Sequence, residues 1–221
     1  MGLQMNIKDN AFARDIASLW KEHDAPDAVY FDKAETEEWT RSIWDENSPF
    51  QQFMAQMDLS IVCEIACGRG RHAARLLSKS EELYLVDTSV AAIEFARERF
   101  KAHPKVRAIL CADGQSLPSV PDGRMTSVFS FDAMVHFEPL TIAAYMSETA
   151  RVLRPGGRAL IHHSNYSKNP TGTIHDAPGW RNFMTENIFA HFASRAGLRV
   201  IDRAVLSWAD TDSDALTLLE K

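Results

Sequence analysis

A doubly wound α/β domain is the fold this sequence predicts, and three observations carry that expectation. From Ser60 onward short apolar runs, "SIVCEI", "LYLV", "VRAILC", "TSVFSF" and "RALIHH", alternate with helical segments. Runs too short for helices, joined by crossovers of about 10 to 15 residues, indicate a parallel sheet covered on both faces. The first run passes directly into "CGRGRHAARL", a glycine-bearing turn followed by helix-forming residues, which reads as strand, loop and helix. Finally, 221 residues with 45% hydrophobic composition are enough for one substantial core and few for two independent ones.

Taken in order, residues 1–58 read as an N-terminal helical cap and 59–221 as the sheet domain, together one globular unit. Asn10 can cap a segment whose Phe12, Ile16, Leu19 and Trp20 share one helical face, and Pro26 ends it. A second helical pattern with Trp39, Ile43 and Trp44 runs to Pro49, ahead of Phe50, Phe53, Met54 and Met57. The sheet has helices of its own, so this N-terminal pair is expected as an appendage, with Tyr30, Phe31, Trp39 and Trp44 available to wall a ligand site. Further on, "SVAAIEFARERF" places Ile93, Ala96 and Phe100 on one face, and Pro155, Gly156 and Gly157 stop a helix and turn the chain into the fifth strand. After a helix stopped by Gly197 come two strands joined only by Ala209 to Ser213. A link that short cannot cross over, so these two are predicted antiparallel.

The net charge of −6 argues against a phosphate-neutralising surface, so no nucleic-acid partner is expected. No run of 18 or more apolar residues and no apolar leader at the N-terminus is found, so a cytoplasmic protein without membrane contact is expected. Cys63, Cys67 and Cys111 form no C-x-x-C pair and no zinc spacing, and read as buried thiols.

The chemistry concentrates at the strand ends. Gly68, Gly70 and Ala73 follow the spacing G-x-G-x-x-A, which says only that backbone must approach a ligand closely between a strand and a helix. Asp87, 19 residues after Gly68, can accept both hydroxyls of an adenosine ribose, which nicotinamide dinucleotides and S-adenosylmethionine both contain. The same aspartate would also cap the helix that follows. Glu64 separates the two cofactors, because a buried carboxylate beside the loop repels a pyrophosphate and favours an ammonium or sulfonium. It can also brace the loop by accepting backbone N–H bonds.

Five segments in order then resemble the motifs of class I S-adenosylmethionine-dependent methyltransferases: "CEIACGRG", "LYLVDTS", "CADGQSLP", "VFSFDAMVHF" and "ETARVLRPGGRALI". The resemblance covers about residues 60 to 165. It implies a Rossmann-like seven-stranded sheet, mostly parallel with an antiparallel last strand, and S-adenosyl-L-methionine as cofactor. It further implies a cofactor site made of Glu64, Ala66, Cys67, Gly68, Gly70, Asp87, Thr88, Asp113, Gly114, Phe131 and Asp132, with the Asp113 acid accepting from the adenine amino group. The family usually has glycine where Ala66 stands, and a Cβ there argues against a positive φ.

Methyl transfer to a hydroxyl needs alignment and a base. His136, a few residues beyond the fourth strand, is the first candidate for that base. His162 and His163 end the fifth strand and should face opposite ways, so at most one meets the substrate. With His175 and Asp176 they suggest a metal, but the spacing is poor and none is expected. The loop "SNYSKNPTGTIHDAPG", Ser164 to Gly179, is long enough to close over an acceptor. The expected activity is methylation of a small polar molecule, on a hydroxyl of a sugar or related metabolite. The rivals are a nucleic-acid or protein methyltransferase, an NAD(P)-dependent oxidoreductase, and a binding module that retains the cofactor without transferring a methyl group.

Overall fold

A computed structural model of the chain describes residues 34–221. The expected helix with Asn10, Phe12, Ile16, Leu19 and Trp20, its stop at Pro26, and the pair Tyr30 and Phe31 lie outside the described residues. Among the described residues two helices precede the sheet, α1 (Glu37–Trp44) and α2 (Pro49–Met54). Thr36 and Ser48 cap them by accepting from the N–H groups of Trp39 and Gln51. Pro49 opens α2, where no intrahelical N–H bond is lost.

The strands are β1 (Ile61–Ile65), β2 (Glu82–Asp87), β3 (Val106–Leu110), β4 (Met125–Ser130), β5 (Leu153–Ser164), β6 (Arg199–Leu206) and β7 (Asp214–Glu220). They form one seven-stranded sheet in the order β3-β2-β1-β4-β5-β7-β6. The first five run parallel, and β7 lies antiparallel between β5 and β6. The helices between them are α3 (Arg71–Leu76), α4 (Val90–Arg99), α5 (Pro139–Val152) and α6 (Glu186–Arg195).

The crossover from β3 to β4, residues 111–124, contains no helix, since Gly114, Pro118, Pro121 and Gly123 interrupt it. Two side chains of α5 hold it instead. Glu148 accepts from Leu117 N–H at 2.7 Å, and Arg151 donates to the carbonyls of Leu117 and Val120, both at 3.0 Å.

Strand alternation divides the core in two. On one face Cys63, Val128, Ala159, Ile161 and Leu219 pack against Ile142 and Met146 of α5 and Phe189 and Ala193 of α6. On the other, Val62, Phe129, Leu160, Leu216 and Leu218 pack against Ile43 of α1 and Phe50, Phe53 and Met54 of α2. This corrects the expectation that the sheet does not need its N-terminal helices. The short α3 covers only part of that face, and each large apolar side chain from α1 and α2 contributes roughly 1.5–3 kcal/mol by burial. Ile93, Ala96 and Phe100 of α4 share a third cluster with Cys67, Ala73 and Leu85.

The three cysteines are buried free thiols. Among the described residues no helix is long and apolar enough to cross a membrane, and no three His, Cys, Asp or Glu side chains are grouped to hold a metal ion.

Candidate active site

The carboxyl ends of β1, β2, β4 and β5 meet at one edge of the sheet, where an open α/β fold presents its ligand crevice. Between β1 and α3 the chain makes a tight turn with positive φ at Ala66 (56°), Gly68 (52°) and Gly70 (76°). A Cβ on Gly70 would sit 2.6 Å from Phe100 Cε2, so that position requires glycine on space as well as on φ.

Ala66 is a correction: its Cβ does not keep the backbone out of the left-handed region. The turn must reverse direction between β1 and α3, and Cys67 N–H stays tied to Val86 O at 3.1 Å while Gly70 N–H bonds Cys67 O at 2.9 Å. These bonds hold Ala66 in a conformation that costs a residue with a Cβ about 1–2 kcal/mol. Ala66→Gly should therefore stabilise the protein by about 1 kcal/mol, read as a rise of roughly 2–4 °C in Tm. An unchanged or lower Tm would show that the strain is already relieved.

Asp87 ends β2 and joins two loops. Its Oδ2 accepts from Gly68 N–H at 2.8 Å, its Oδ1 from Ser89 N–H at 2.9 Å, and its carbonyl from Cys111 N–H at 2.8 Å. Thr88 follows it, half-buried. Past β3, Asp113 Oδ1 collects Gln115 N–H, Ser116 N–H and Ser116 Oγ at 3.0, 3.0 and 2.9 Å, with Gly114 buried beside it. Partial burial would raise the Asp113 carboxyl, but these donors outweigh it and hold the group below the usual carboxylate range.

Glu64 lies on β1 between Leu85 of β2 and Phe129 of β4, only 3% exposed. Ala73 N–H, in the first turn of α3, donates to its carboxylate, while Oε2 is buried without a hydrogen-bond partner. Burial pushes its pKa up to about 8, Arg71 pulls the other way, and Asp87 adds to the rise. A buried acceptor oxygen beside a glycine turn suits a cation, and S-adenosylmethionine carries two.

At the tip of β4, Phe131 is buried and stacks on His162, with ring centroids 4.8 Å apart. Asp132 has φ of 59°, and its carboxylate pairs with Arg71 at 3.3 Å. Asp132 N–H donates to His162 Nδ1 at 3.1 Å, so the His162 proton sits on Nε2, which faces Asp214 Oδ2 at 3.5 Å. That contact is longer than an ordinary hydrogen bond, and Nε2 is buried without a hydrogen-bond partner. Trp208 packs edge-on over both rings at 5.5 and 5.0 Å.

The two adjacent histidines part as the period of a strand requires. His163 points to the opposite face, stacks on Phe189 at 3.6 Å, and bonds Thr217 Oγ1 and Ser164 O. Burial drives its pKa down to about 3. His136 sits in the turn Met134–His136, with Nδ1 2.8 Å from Trp180 O. Burial lowers its pKa from the ordinary value, and the Trp180 carbonyl works against that fall. It is therefore neutral at pH 7.

The structure thus places the loop, Asp87, Asp113, Glu64 and the β4 tip along the carboxyl edge of the sheet, with His136 just past β4, His162 near the end of β5 and His163 on the opposite face of that strand. Sequence reading passed over Arg71, Trp208, Arg181 and Asp214. Arg71 stood inside the glycine stretch, one residue past Gly70, and an arginine so close to a strand tip was a usable signal. Arg181 and Asp214 are 33 residues apart, with no spacing to link them.

Residues 62–157 match the family model described as a methyltransferase domain. The biotin biosynthesis bifunctional protein BioHC of Cellvibrio japonicus is 33% identical over 108 residues, which is 48% of this chain and 20% of that protein. The chain spans only about a fifth or less of the length of the curated relatives it matches. The methyltransferase in complex with the Haloferax volcanii Trm112 methyltransferase activator is 16% identical, with a TM-score of 0.63 over 88% of this chain and 96% of that one. The geranyl diphosphate C-methyltransferase of Streptomyces coelicolor A3(2), solved with S-adenosyl-L-homocysteine, is 13% identical with a TM-score of 0.63, over 77% and 74% of the two chains. At those identities the solved structures establish the fold, while the matched segment runs from β1 into the start of β5 and takes in Glu64, Asp87, Asp113 and the β4 tip. Over that segment, less than half of the chain, the sequence is similar to methyltransferase domains.

Proposed function

We propose that the chain transfers a methyl group from S-adenosylmethionine to a hydroxyl of a small polar acceptor, such as a sugar or related metabolite. When bound, the cofactor supplies a methyl group made electrophilic by its sulfonium. Glu64 and the turn from Ala66 to Gly70 hold its charged end, Asp87 with Thr88 its ribose, Asp113 with Gly114 its adenine, and Phe131 with Asp132 close the β4 side. Open space for the acceptor belongs beyond β4 and β5, under the loop from Ser164 to Gly179, whose side chains are largely polar.

The observation that carries the oxygen acceptor is the state of His136. A carbonyl only accepts, so the bond to Trp180 O places the proton on Nδ1 and the lone pair on Nε2. A neutral imidazole so arranged takes the hydroxyl proton as the new bond forms, while the turn that carries it fixes the angle of approach. His162 is held by Asp132 and covered by Trp208, which suits bracing the β4 tip. One curated relative is named for biotin biosynthesis, in keeping with a small-molecule acceptor, and two others, 35% and 33% identical over 106 residues, are named as tRNA (carboxymethyluridine(34)-5-O)-methyltransferases; the acidic balance of the chain supports the first reading.

Incubation with methyl-labelled S-adenosylmethionine and hydroxyl-bearing metabolite fractions should yield labelled product and S-adenosylhomocysteine. His136→Gln should lower turnover about 10²- to 10⁴-fold with cofactor affinity unchanged. Full turnover by that variant would remove the base, and binding of NAD in place of S-adenosylmethionine would remove the reading altogether.

A further inference from the structure

Arg71, the first residue of α3, stands near Glu64 without bonding it. Of the charged side chains around the Glu64 carboxyl, Arg71 influences it most, yet Glu64 Oε2 is buried without a hydrogen-bond partner. The guanidinium is engaged elsewhere, on a side chain only 12% exposed. Nη1 donates to Ala34 O at 3.2 Å, Nη2 donates to Asp132 Oδ2 at 3.3 Å, and Nε lies 3.1 Å from His72 Nε2.

The edge formed by Nε and Nη2 is the one a guanidinium offers side-on to a carboxylate. Arg181 shows that edge well matched: its Nε and Nη2 donate to Oδ1 and Oδ2 of the wholly buried Asp214 at 2.8 and 2.7 Å, and its Nη1 to Gly179 O at 2.7 Å. On Arg71 the same edge meets a single carboxylate oxygen at long range and an imidazole nitrogen. The second contact is poor. Trp44 Nε1 lies 3.0 Å from His72 Nδ1, so N–H groups point at both ring nitrogens of His72. Burial holds the His72 pKa well below its ordinary value, and a neutral imidazole accepts at one nitrogen only, the other bearing a hydrogen. The indole N–H donates nowhere else among the described residues, so the lone pair serves Trp44. Arg71 Nε–H is then left facing another N–H, a buried donor without an acceptor.

Two unmet groups thus flank the glycine turn, an acceptor oxygen on Glu64 and a donor nitrogen on Arg71. An α-amino-acid end, with ammonium and carboxylate on one carbon, is the complement of both. We propose that Arg71 selects a cofactor with an intact amino-acid end: its Nε and Nη2 take the carboxylate side-on, exchanging the contacts with His72 and Asp132 for two parallel bonds, while Nη1 stays on Ala34 O and Glu64 takes the ammonium. The inference rests on S-adenosylmethionine as the cofactor and is independent of the acceptor. The exchange asks little of the fold, since His72 keeps its bond to Trp44 and the contacts given up are the two poorly matched ones.

Decarboxylated S-adenosylmethionine keeps the sulfonium, the adenosine and the ammonium and lacks only the carboxylate, so calorimetric titration with it and with S-adenosylmethionine isolates this contact. Wild type should favour S-adenosylmethionine by about 10- to 100-fold. Arg71→Met should bind the two ligands within about threefold of each other, and Arg71→Lys, a point charge without the fork, should fall between. Each ratio is taken within one protein, so a general loss of stability or affinity cancels.

A wild type that binds both ligands alike overturns the proposal. So does an Arg71→Met protein that keeps the wild-type preference, which would leave Arg71 as a brace between α3 and the β4 tip. If Arg71→Met does not fold or binds too weakly to titrate, Arg71→Lys decides in its place: a reduced preference supports the proposal and an unaltered one overturns it. Failure of the cofactor reading shows separately, as a wild type that binds neither ligand, and takes this inference with it.

Discussion

Asp87→Ala is expected to weaken S-adenosylmethionine binding by about two orders of magnitude or more in titration calorimetry. A carboxylate that accepts from two ribose hydroxyls makes charge-assisted bonds worth roughly 1.5–3 kcal/mol each, and alanine replaces neither. The bonds from Gly68 and Ser89 do not argue against this role, because a carboxylate oxygen accepts more than one hydrogen bond and a ribose hydroxyl can share it. They do add a second consequence. Gly68 N–H loses its acceptor in the variant, so the glycine turn should loosen, and Tm should fall together with affinity. Asp87→Asn separates the two contributions. It keeps one oxygen for Gly68 but loses the charge, so Tm should recover more than affinity does. If both variants bind the cofactor within about threefold of wild type, a difference of under 1 kcal/mol, Asp87 only braces the loop and the ribose is held elsewhere.

How far the sequence could lead follows from what each feature depends on. The sheet was legible because each apolar run is too short for a helix, and the two last strands were legible as antiparallel because Ala209 to Ser213 is too short to cross over. That β7 inserts between β5 and β6 was not legible, since it depends on which strand best covers β5. The divergence of His162 and His163 followed from the period of a strand alone. Ala66 went the other way: the preference of a single residue predicted negative φ, and the bonds of the whole turn overrode it by about the 1–2 kcal/mol such a conformation costs. The Arg181–Asp214 pair was invisible for a related reason. Asp214 reaches Arg181 only because β7 brings it beside the end of β5, so the pairing is a product of topology. The role of α2 was misjudged because a helix's own pattern says which face is apolar and nothing about which surface lacks a cover.

The Glu64 carboxyl should make the cofactor-free protein lose stability as pH rises through neutrality. Its pKa is raised in the fold to about 8 from an ordinary 4.5. The stabilising contribution is therefore complete below pH 4.5 and is lost as pH climbs through 8, because the unfolded chain releases the proton first. Other groups mask part of this window. His72, His136 and His163 are all lowered by burial, so they add stability as pH rises toward 6.5 and oppose Glu64 there. Asp113, Asp214, Glu82, Glu148 and Glu220 lie below the usual carboxylate range, and their contribution is already complete at these pH values. Between pH 6.5 and 8 Glu64 acts nearly alone, at about 1.4 kcal/mol per pH unit, for a loss of roughly 2 kcal/mol. Glu64→Gln keeps the shape and cannot ionise, so its stability should be flat across that interval in urea titrations. Cofactor binding should show the reverse linkage. Arg71 and Arg99 are the cations that face Glu64, and Asp87 is the facing acid; Arg71 is already engaged by Asp132 and Arg99 by Glu35. A ligand ammonium or sulfonium beside the unpartnered oxygen would tip Glu64 toward its charged form. Wild-type affinity should then rise severalfold from pH 6.5 to 8 with release of up to one proton, read from calorimetry in buffers of different ionisation heat. Glu64→Gln should bind more weakly, release no proton from this site and lose that slope. Equal slopes in the two proteins would mean that Glu64 is ionised before the cofactor arrives, or that the cation does not approach it.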